Sequence, residues 1–140
     1  MQKAINIAKQ SQQDLPIACL IVKNNQILAQ VYNQKEKNFD VTSHCEILAI
    51  RQAQKKIHSW HLCDCKLFVT LEPCPMCAWA ILEARINTVV FGAFDLNYGA
   101  FESRFHLQDF HSNGKNIKIV SGICEQQCKV LLQSYFKNIR

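Results

Sequence analysis

Two short stretches of the sequence hold the side chains best suited to metal chemistry. One contains Cys74 and Cys77 in the order Pro-Cys-Pro-Met-Cys, and the other contains His44 and Glu46. Cysteines three residues apart at the start of a helix lie on one face, so both sulfurs can reach the same ion. The free N–H groups of a first helical turn also lower a thiol pKa, which favours the thiolate that a metal binds. The spacing therefore predicts a pair of metal-binding thiolates.

His44, at the start of a second predicted helix, supplies a third ligand. Two thiolates and one imidazole form a three-ligand zinc site, which leaves the fourth position for water, as in catalytic zinc sites. Two alternatives stay open at this stage. Cys45, Cys63 or Cys65 could complete a four-ligand structural site. The Cys-x-x-Cys pair after a strand could instead be a thioredoxin-like redox pair.

Glu46 is the residue that would turn such a site into an enzyme. Zinc brings the pKa of a bound water to about 7, so hydroxide is available at neutral pH. A carboxylate beside that water can take its proton and later deliver it to a substrate, which is worth about 10²–10⁴ in rate. Residues two apart do not share a face of a regular helix. His44 and Glu46 can therefore act together only at the first turn of the helix.

The pattern His-x-Glu followed by Pro-Cys-x-x-Cys resembles the signature of the zinc deaminases that act on nucleobases. Within the zinc-dependent cytidine and deoxycytidylate deaminase superfamily, the chain most resembles the bacterial tRNA-specific adenosine deaminases. The resemblance runs through nearly the whole chain. The matching pieces outside the His-x-Glu pair are Leu15-Pro16, Asn33, Val69–Cys74, Arg85-Ile86, Val89–Ala93, Asp95, Gly99-Ala100 and Cys128.

The resemblance implies a cytidine deaminase-like fold, an α/β three-layer α/β/α sandwich with a central mixed five-stranded sheet and helices on both faces. It implies a homodimer that hydrolyses adenosine to inosine at the wobble position of tRNA anticodons, with the anticodon loop as partner. One Zn²⁺ per chain would be bound by His44, Cys74 and Cys77, and Glu46 would shuttle protons.

Two further roles rest on the resemblance alone. Asn33 would hold the target base, and Asp95 would lie along the path of the anticodon. The chain departs from the family pattern at four positions, which are Cys45, Trp79, Phe94 and Asn97. Cys45 adjoins a metal ligand and could compete for the ion, and Trp79 replaces a small residue near the expected dimer contact.

Other functions use the same residues differently. A zinc-dependent deaminase of a free base or nucleoside, such as guanine, cytosine or cytidine, would keep the four site residues and change only the pocket walls. A non-catalytic zinc-stabilised partner subunit would be expected to lack the glutamate, which is present here as Glu46. A thiol–disulfide oxidoreductase would work through Cys74 and Cys77 without metal.

Charge and composition limit the remaining functions. The chain carries 16 Lys and Arg against 11 Asp and Glu, a net charge of +5, and its pI of about 8.8 is below that of a dedicated nucleic-acid binder. This balance suits transient contact with phosphate. Near the C-terminus, Phe136 with Lys137 and Arg140 would form either a contact for splayed RNA bases or simply the end of an amphipathic helix.

Length and hydropathy predict one domain over residues 1–140 and a cytoplasmic protein, and the resemblance implies that this domain is a zinc-dependent deaminase. The 140 residues are enough for one ordinary hydrophobic core. The longest apolar run, Ile17 to Val22, has six residues, against about 20 for a membrane helix. Eight cysteines without an export signal favour buried thiols or metal ligands over disulfides. Cys63 and Cys65 are expected to be buried, and Cys124 and Cys128 to serve packing.

The predicted elements alternate between helix and strand, as expected for helices packed on both faces of a sheet. Helices are predicted over 1–13, from His44 to Ile57 with Thr42 or Ser43 available as cap, from a start bracketed by Pro73 and Pro75 to about Ala84, and over 125–139. Strands are predicted over 17–23, 26–32, 67–71, 87–93 and 118–123. Asn24-Asn25 forms a two-residue hairpin turn, and residues 33–43 and 94–116 are loops.

Overall fold

A five-stranded mixed sheet forms the centre of the structure, a computed structural model that describes residues 1–139. The strands are β1 (Ala18–Lys23), β2 (Gln26–Tyr32), β3 (Lys66–Leu71), β4 (Thr88–Ala93) and β5 (Lys118–Val120). Their order across the sheet is β2-β1-β3-β4-β5. Strand β1 is antiparallel to both its neighbours, whereas β3, β4 and β5 are parallel.

Helices cover both faces of this sheet. The helices are α1 (Gln2–Ala8), α2 (Lys35–Asn38), α3 (Cys45–Ile57), α4 (Pro75–Glu83) and α5 (Glu125–Asn138). Helices α3 and α4 contribute to the main hydrophobic core on one face. Helices α1 and α5 meet on the other face, where Ile5, Ala93 and Cys128 form a smaller cluster. The predicted three-layer sandwich is confirmed.

The main core is built from alternate residues of the strands and small residues of α3. Cys19 and Ile21 of β1 are fully buried in it, as are Ala49 and Ala53 of α3. Successive side chains of a strand point to opposite faces, so residues 19 and 21 point to the same layer. Small side chains at positions 49 and 53 let the helix lie close to the sheet, which places the start of α3 firmly at the sheet edge.

The strand directions bring three chain segments to the same edge of the sheet. Because β1 is antiparallel to both β2 and β3, strands β2, β3 and β4 run in one direction and end at one edge. His44 follows β2, Cys74 follows β3, and the irregular segment from Phe94 follows β4. In open sheets, ligands bind in the crevice outside the carboxyl ends of the strands.

Several predicted boundaries were wrong, each for a local reason. The N-terminal helix ends at Ala8 and not at residue 13, because the run from Lys9 to Gln13 has no apolar residue to pack. The predicted loop 33–43 contains α2, whose free N–H groups are bound by Asp14. Strand β5 ends at Val120, before Gly122 adopts a φ of 74°.

Other expectations have clear outcomes. Asn24 and Asn25 have positive φ, which confirms the hairpin turn. Cys65 is buried as predicted, but Cys63 is exposed, so that part of the prediction was wrong. Arg140, a member of the proposed C-terminal RNA contact, lies outside the described residues. Among residues 1–139, the structure contains no helix long and apolar enough to span a membrane.

Candidate metal and catalytic site

His44, Cys74 and Cys77 meet at the sheet edge and present their ligand atoms to a common point. His44 Nδ1 lies 3.6 Å from Cys74 Sγ and 3.5 Å from Cys77 Sγ, and the three ligand atoms are all within 4.8 Å of one another. Zinc bonds of about 2.3 Å to sulfur and about 2.0–2.1 Å to nitrogen in a tetrahedral site place N and S about 3.5–3.6 Å apart. The donor set therefore fits one tetrahedral ion of the zinc type.

The starts of two helices position these ligands. His44 is the N-cap residue of α3, with an extended backbone (φ −69°, ψ 147°), and Cys74 is the N-cap of α4 (φ −74°, ψ 171°). Pro75 occupies the first position of α4, where its fixed φ is already helical and its missing N–H costs no hydrogen bond. Cys77 follows within the first turn and is fully buried, so the two sulfurs face the same point.

The cap of α3 differs from the prediction. His44 is the N-cap and makes no side-chain cap bond, while the hydroxyl of Ser43 donates to Asp40 (2.9 Å). Instead, the side chain of Asn33 binds the first helical N–H, with Oδ1 accepting from Cys45 N at 2.9 Å. The prediction that Thr42 or Ser43 caps the helix was wrong because the cap comes from the end of β2.

Hydrogen bonds among the three candidate ligands shift their pKa values. The hydrogen bond from Cys77 lowers the pKa of Cys74 to about 4, and His44 adds to this effect. The same bond raises the pKa of Cys77, with burial acting in the same direction. The hydrogen bond to Cys74 raises the pKa of His44. In the metal-free site Cys74 is therefore the thiolate, and an ion that binds all three side chains would displace the protons of Cys77 and His44.

Glu46 lies at the second position of α3, one residue after the capped N–H, and is only 4% exposed. Burial raises the pKa of its carboxyl group. Its Oε2 accepts a hydrogen bond from the thiol of Cys45 at 3.3 Å. Because His44 is the cap and not a helical residue, the two-residue spacing from His44 to Glu46 is accommodated in the first turn, as predicted.

No fourth protein ligand joins the three within the described part of the chain. Among residues 1–139, His44, Cys74 and Cys77 form the one group of three or more candidate ligand side chains close enough to share an ion. Cys45 is buried and turned toward Glu46, Cys63 is exposed, and Cys65 precedes β3 at the opposite end from Cys74. The geometry therefore favours an open three-ligand site over a closed structural one.

Glu72 is a site residue to which the sequence analysis gave no role. Its carboxylate is 2% exposed and accepts from the N–H groups of Glu102 (2.7 Å), Ser103 (2.9 Å) and Asp95 (3.1 Å) and from the hydroxyl of Ser103. Gly99 leaves room for it, since a Cβ there would meet Glu72 Oε2. A charged residue at the end of the apolar strand β3 was the available signal. Glu72 thus ties the segment 95–103 to the residue pair Pro73-Cys74.

Asp95 serves first as a turn residue in this segment. Its Oδ1 accepts from the N–H groups of Asn97 (3.0 Å) and Tyr98 (3.1 Å), and its backbone O accepts from Gly99 N at 2.7 Å. The turn exposes the side chains of Leu96 and Tyr98 to solvent. A contact between Asp95 and a substrate stays a prediction.

Comparison with known proteins identifies the family. The model of the MafB19-like deaminases matches residues 1–140. The tRNA-specific adenosine deaminase of Bacillus subtilis (strain 168) is 36% identical over 142 residues, which span 100% of this chain and 88% of that protein. The chain belongs to the tRNA-specific adenosine deaminase family. The Haemophilus influenzae member (strain ATCC 51907 / DSM 11121 / KW20 / Rd) is 35% identical over 143 residues, 100% of this deaminase and 83% of that one.

A solved structure supports the same assignment. It comes from studies of A-to-I editing by tRNA:A34 deaminases at the wobble position of transfer RNA, and its TM-score to this deaminase is 0.88 at 32% identity. The match covers 94% of this chain and 97% of that chain. The His-x-Glu and Pro-Cys-x-x-Cys motifs indicated a deaminase, and the pieces Phe91–Ala93 with Asp95 and Gly99-Ala100 indicated the tRNA-specific family; that family is confirmed, and the free-base alternative is not favoured.

Proposed function

We propose that this deaminase hydrolyses adenosine to inosine at the wobble position of tRNA anticodons. The observation that carries the proposal is the open His-Cys-Cys group beside a buried glutamate, in a chain that matches tRNA-specific adenosine deaminases over its full length. Residues 1–140 act in this proposal as one deaminase domain. The buried Glu46 favours an enzyme over a non-catalytic partner subunit. The grouping of His44 with Cys74 and Cys77 favours a metal site over a thiol-redox pair.

We propose one Zn²⁺ per chain on His44, Cys74 and Cys77. When bound, zinc would lower the pKa of a water molecule to about 7 and so supply a hydroxide nucleophile at neutral pH. Glu46 would take one proton of the water and deliver it to N1 of adenine as the water oxygen bonds to C6. It would then carry the second proton of that oxygen to the C6 amino group, so that the C6–N bond breaks and ammonia leaves. The net reaction consumes one water and gives inosine and ammonia.

Asn33 is proposed to hold the base through its amide nitrogen. Its Oδ1 is occupied by the N–H of Cys45, an acceptor role that only the oxygen can fill. The Nδ2 group of Asn33 is then the hydrogen-bond donor that can bind a substrate. Adenine offers ring nitrogens as acceptors, so Asn33 Nδ2 fits a purine ring nitrogen at this edge of the sheet.

Asp95 is proposed to border the anticodon path by shaping the turn that follows β4. Its carboxylate holds the N–H groups of Asn97 and Tyr98, and so presents the exposed Leu96 and Tyr98 beside the site. An anticodon loop suits such a surface, because its bases are already partly unstacked and cost little to extrude into a pocket. The proposed partner is therefore the anticodon loop of a tRNA.

The test of the function is a substrate comparison with the zinc-loaded protein. A tRNA transcript with adenosine at the wobble position is expected to gain inosine, detected by mass, while free adenosine, cytidine and guanine stay unchanged. A transcript with guanosine at that position is the matched control. Deamination of a free base or nucleoside without any inosine in the tRNA would contradict the RNA substrate and keep only the deaminase chemistry.

A homodimer is proposed through the outer surface of α3 and α4. Met76 (37%) and Trp79 (40%) of α4 are exposed there, as is Trp60 (55%) in the segment that follows α3. Between the two helices lies a cavity of about 360 Å³ lined by Ile50, Gln54, Trp60, Ala80, Glu83 and Ala84. Buried tryptophans dominate the binding energy of many interfaces. Trp79, where the family has a small residue, would then be part of the contact and not an obstacle to it.

Replacement of Trp79 by glutamate is expected to raise the dimer dissociation constant by about 30-fold, the effect of losing one interface hot spot and burying a charge. Analytical ultracentrifugation over a range of concentrations measures this constant. Val130→Glu is the matched control, since Val130 is 47% exposed on α5, across the sheet from α4. Equal dissociation constants for wild type and Trp79→Glu would place any dimer contact elsewhere.

The cytoplasm is the proposed location. The proposed substrate is a tRNA, and the proposed ligands Cys74 and Cys77 must stay reduced to bind an ion. Reducing compartments keep cysteine thiols in that state.

A further inference from the structure

Phe39 combines full exposure with a backbone conformation that a bulky residue rarely adopts. Its side chain is 98% exposed, and its φ of 50° and ψ of 42° lie in the left-handed region. Glycine or asparagine usually occupies this position after a helix. A phenylalanine there is strained and buries nothing within its own chain. His58, Arg85 and Cys124 also have positive φ, so Phe39 is singled out by the combination of this strain with a large apolar ring that is fully exposed.

The loop that carries Phe39 is held in place at both ends by carboxylates. Asp14, 3% exposed, accepts from the N–H groups of Glu36 (2.7 Å) and Lys37 (3.2 Å). Asp40 accepts from the N–H and the hydroxyl of Thr42, both at 2.8 Å. Hydrogen bonds on both sides of Phe39 therefore fix the backbone that exposes its ring to solvent.

The position of the loop relates Phe39 to the site. The loop joins Asn33, the proposed base holder, to the ligand His44, and its ends are linked by the bond from Gln34 N to Ser43 O (3.1 Å). Lys35 and Lys37 are exposed on the same loop. An exposed ring on the segment that joins Asn33 to His44, with two lysines on the preceding α2, offers a nucleobase a stacking surface and its phosphates a counter-charge.

We propose that Phe39 is a positioning residue that stacks on an unpaired anticodon-loop base next to the target adenosine. This inference rests on the proposed function, because it requires RNA as substrate. The stacked base would fix the backbone on one side of the extruded nucleotide, so that the adenine enters the pocket in one register. Stacking accepts any base, so Phe39 would support binding to different anticodons and not select among them.

Three substitutions at position 39 test the proposal on an anticodon stem-loop RNA. Phe39→Ala and Phe39→Asn are expected to raise KM about tenfold, the loss of one base–aromatic stack, with a smaller effect on kcat. Phe39→Trp keeps an aromatic ring and is expected to have the KM of the wild type. Asparagine tolerates the left-handed region, so Phe39→Asn should melt no lower than wild type. A merely structural role predicts the reverse, a lower melting temperature and an unchanged KM.

The matched control is His58→Asn. His58 is also exposed and also ends a helix in the left-handed region (φ 54°, ψ 40°), but it lies at the far end of α3 from His44. It is expected to leave KM unchanged. Abasic substitutions in the RNA, one at a time beside the target, identify the stacked base as the position where Phe39→Ala no longer has an effect.

The outcomes separate this inference from the function on which it rests. Wild type that forms inosine, with KM unaltered by Phe39→Ala or with no abasic position that cancels the effect, overturns the stacking role alone. Wild type that forms no inosine in any RNA overturns the proposed function, and the role of Phe39 with it.

Discussion

Replacement of Glu46 by glutamine is expected to lower turnover by about 10²–10⁴-fold, the usual contribution of a positioned general acid–base group. The amide keeps the shape of the carboxylate but cannot accept the proton of the attacking water. Zinc content should stay at the wild-type level, because Glu46 is not one of the three ligand side chains that share a point. Single-turnover deamination of tRNA, with metal content measured by mass spectrometry on the same sample, checks both.

The thermal stability of the metal-free Glu46→Gln protein is the control that separates a catalytic effect from a folding defect. Burial raises the pKa of Glu46, so the folded state binds more protons than the unfolded state between the unfolded and folded pKa values. Stability contributed by this group therefore falls as pH rises through that window. Metal-free Glu46→Gln should melt no lower than metal-free wild type above the window. Loss of zinc in the variant would instead mean that Glu46 is a ligand and that its assigned role is wrong.

Replacement of Cys77 by serine is expected to abolish both metal binding and activity and to lower stability. The serine hydroxyl is a poor zinc ligand, and metal binding to a site formed only in the folded state contributes directly to folding. The ion would join the start of α3 to the start of α4, so its loss separates two helices that share one core. Metal analysis, thermal melting and deamination of tRNA measure the three effects.

Cys128→Ser is the matched control for that experiment. Cys128 is also buried, at 1% exposed, but it packs on α5 against the opposite face of the sheet. The substitution should cost about 1–3 kcal/mol for the buried hydroxyl and leave zinc content unchanged. A Cys77→Ser protein that is folded, metal-free and active would exclude the zinc mechanism.

The site was largely predictable because its chemistry is local in sequence. The ligands occupy two helix starts, and a Cys-x-x-Cys pair or a His-x-Glu pair has its geometry set within a few residues. Apolar runs likewise predicted every strand. In β1 and β4, which are mostly buried on both faces, such a run is expected. The apolar residues of α3, from Ile47 to Ile57, gave a helical period because the helix buries one face against the sheet.

The parts that could not be predicted depend on hydrogen bonds between distant segments. Asp14 stabilises α2 from more than twenty residues away, Asn33 caps α3 across an intervening loop, and Glu72 holds the turn after β4. Each acceptor is a single polar residue that belongs to no sequence motif for the contact it makes. Its partners are backbone N–H groups, which carry no sequence signal at all.

The proposed double use of Asn33 would restrict how the substrate range of this enzyme can evolve. Its oxygen completes the first turn of α3, which presents both His44 and Glu46, and its nitrogen is the group available to a base. An apolar residue at position 33 would leave the N–H of Cys45 without its acceptor, and an aspartate would keep that acceptor but lose the donor. A change of base recognition at this position would therefore leave the start of α3 intact only through a residue that keeps the acceptor, whereas any other replacement would disturb His44 and Glu46 as well.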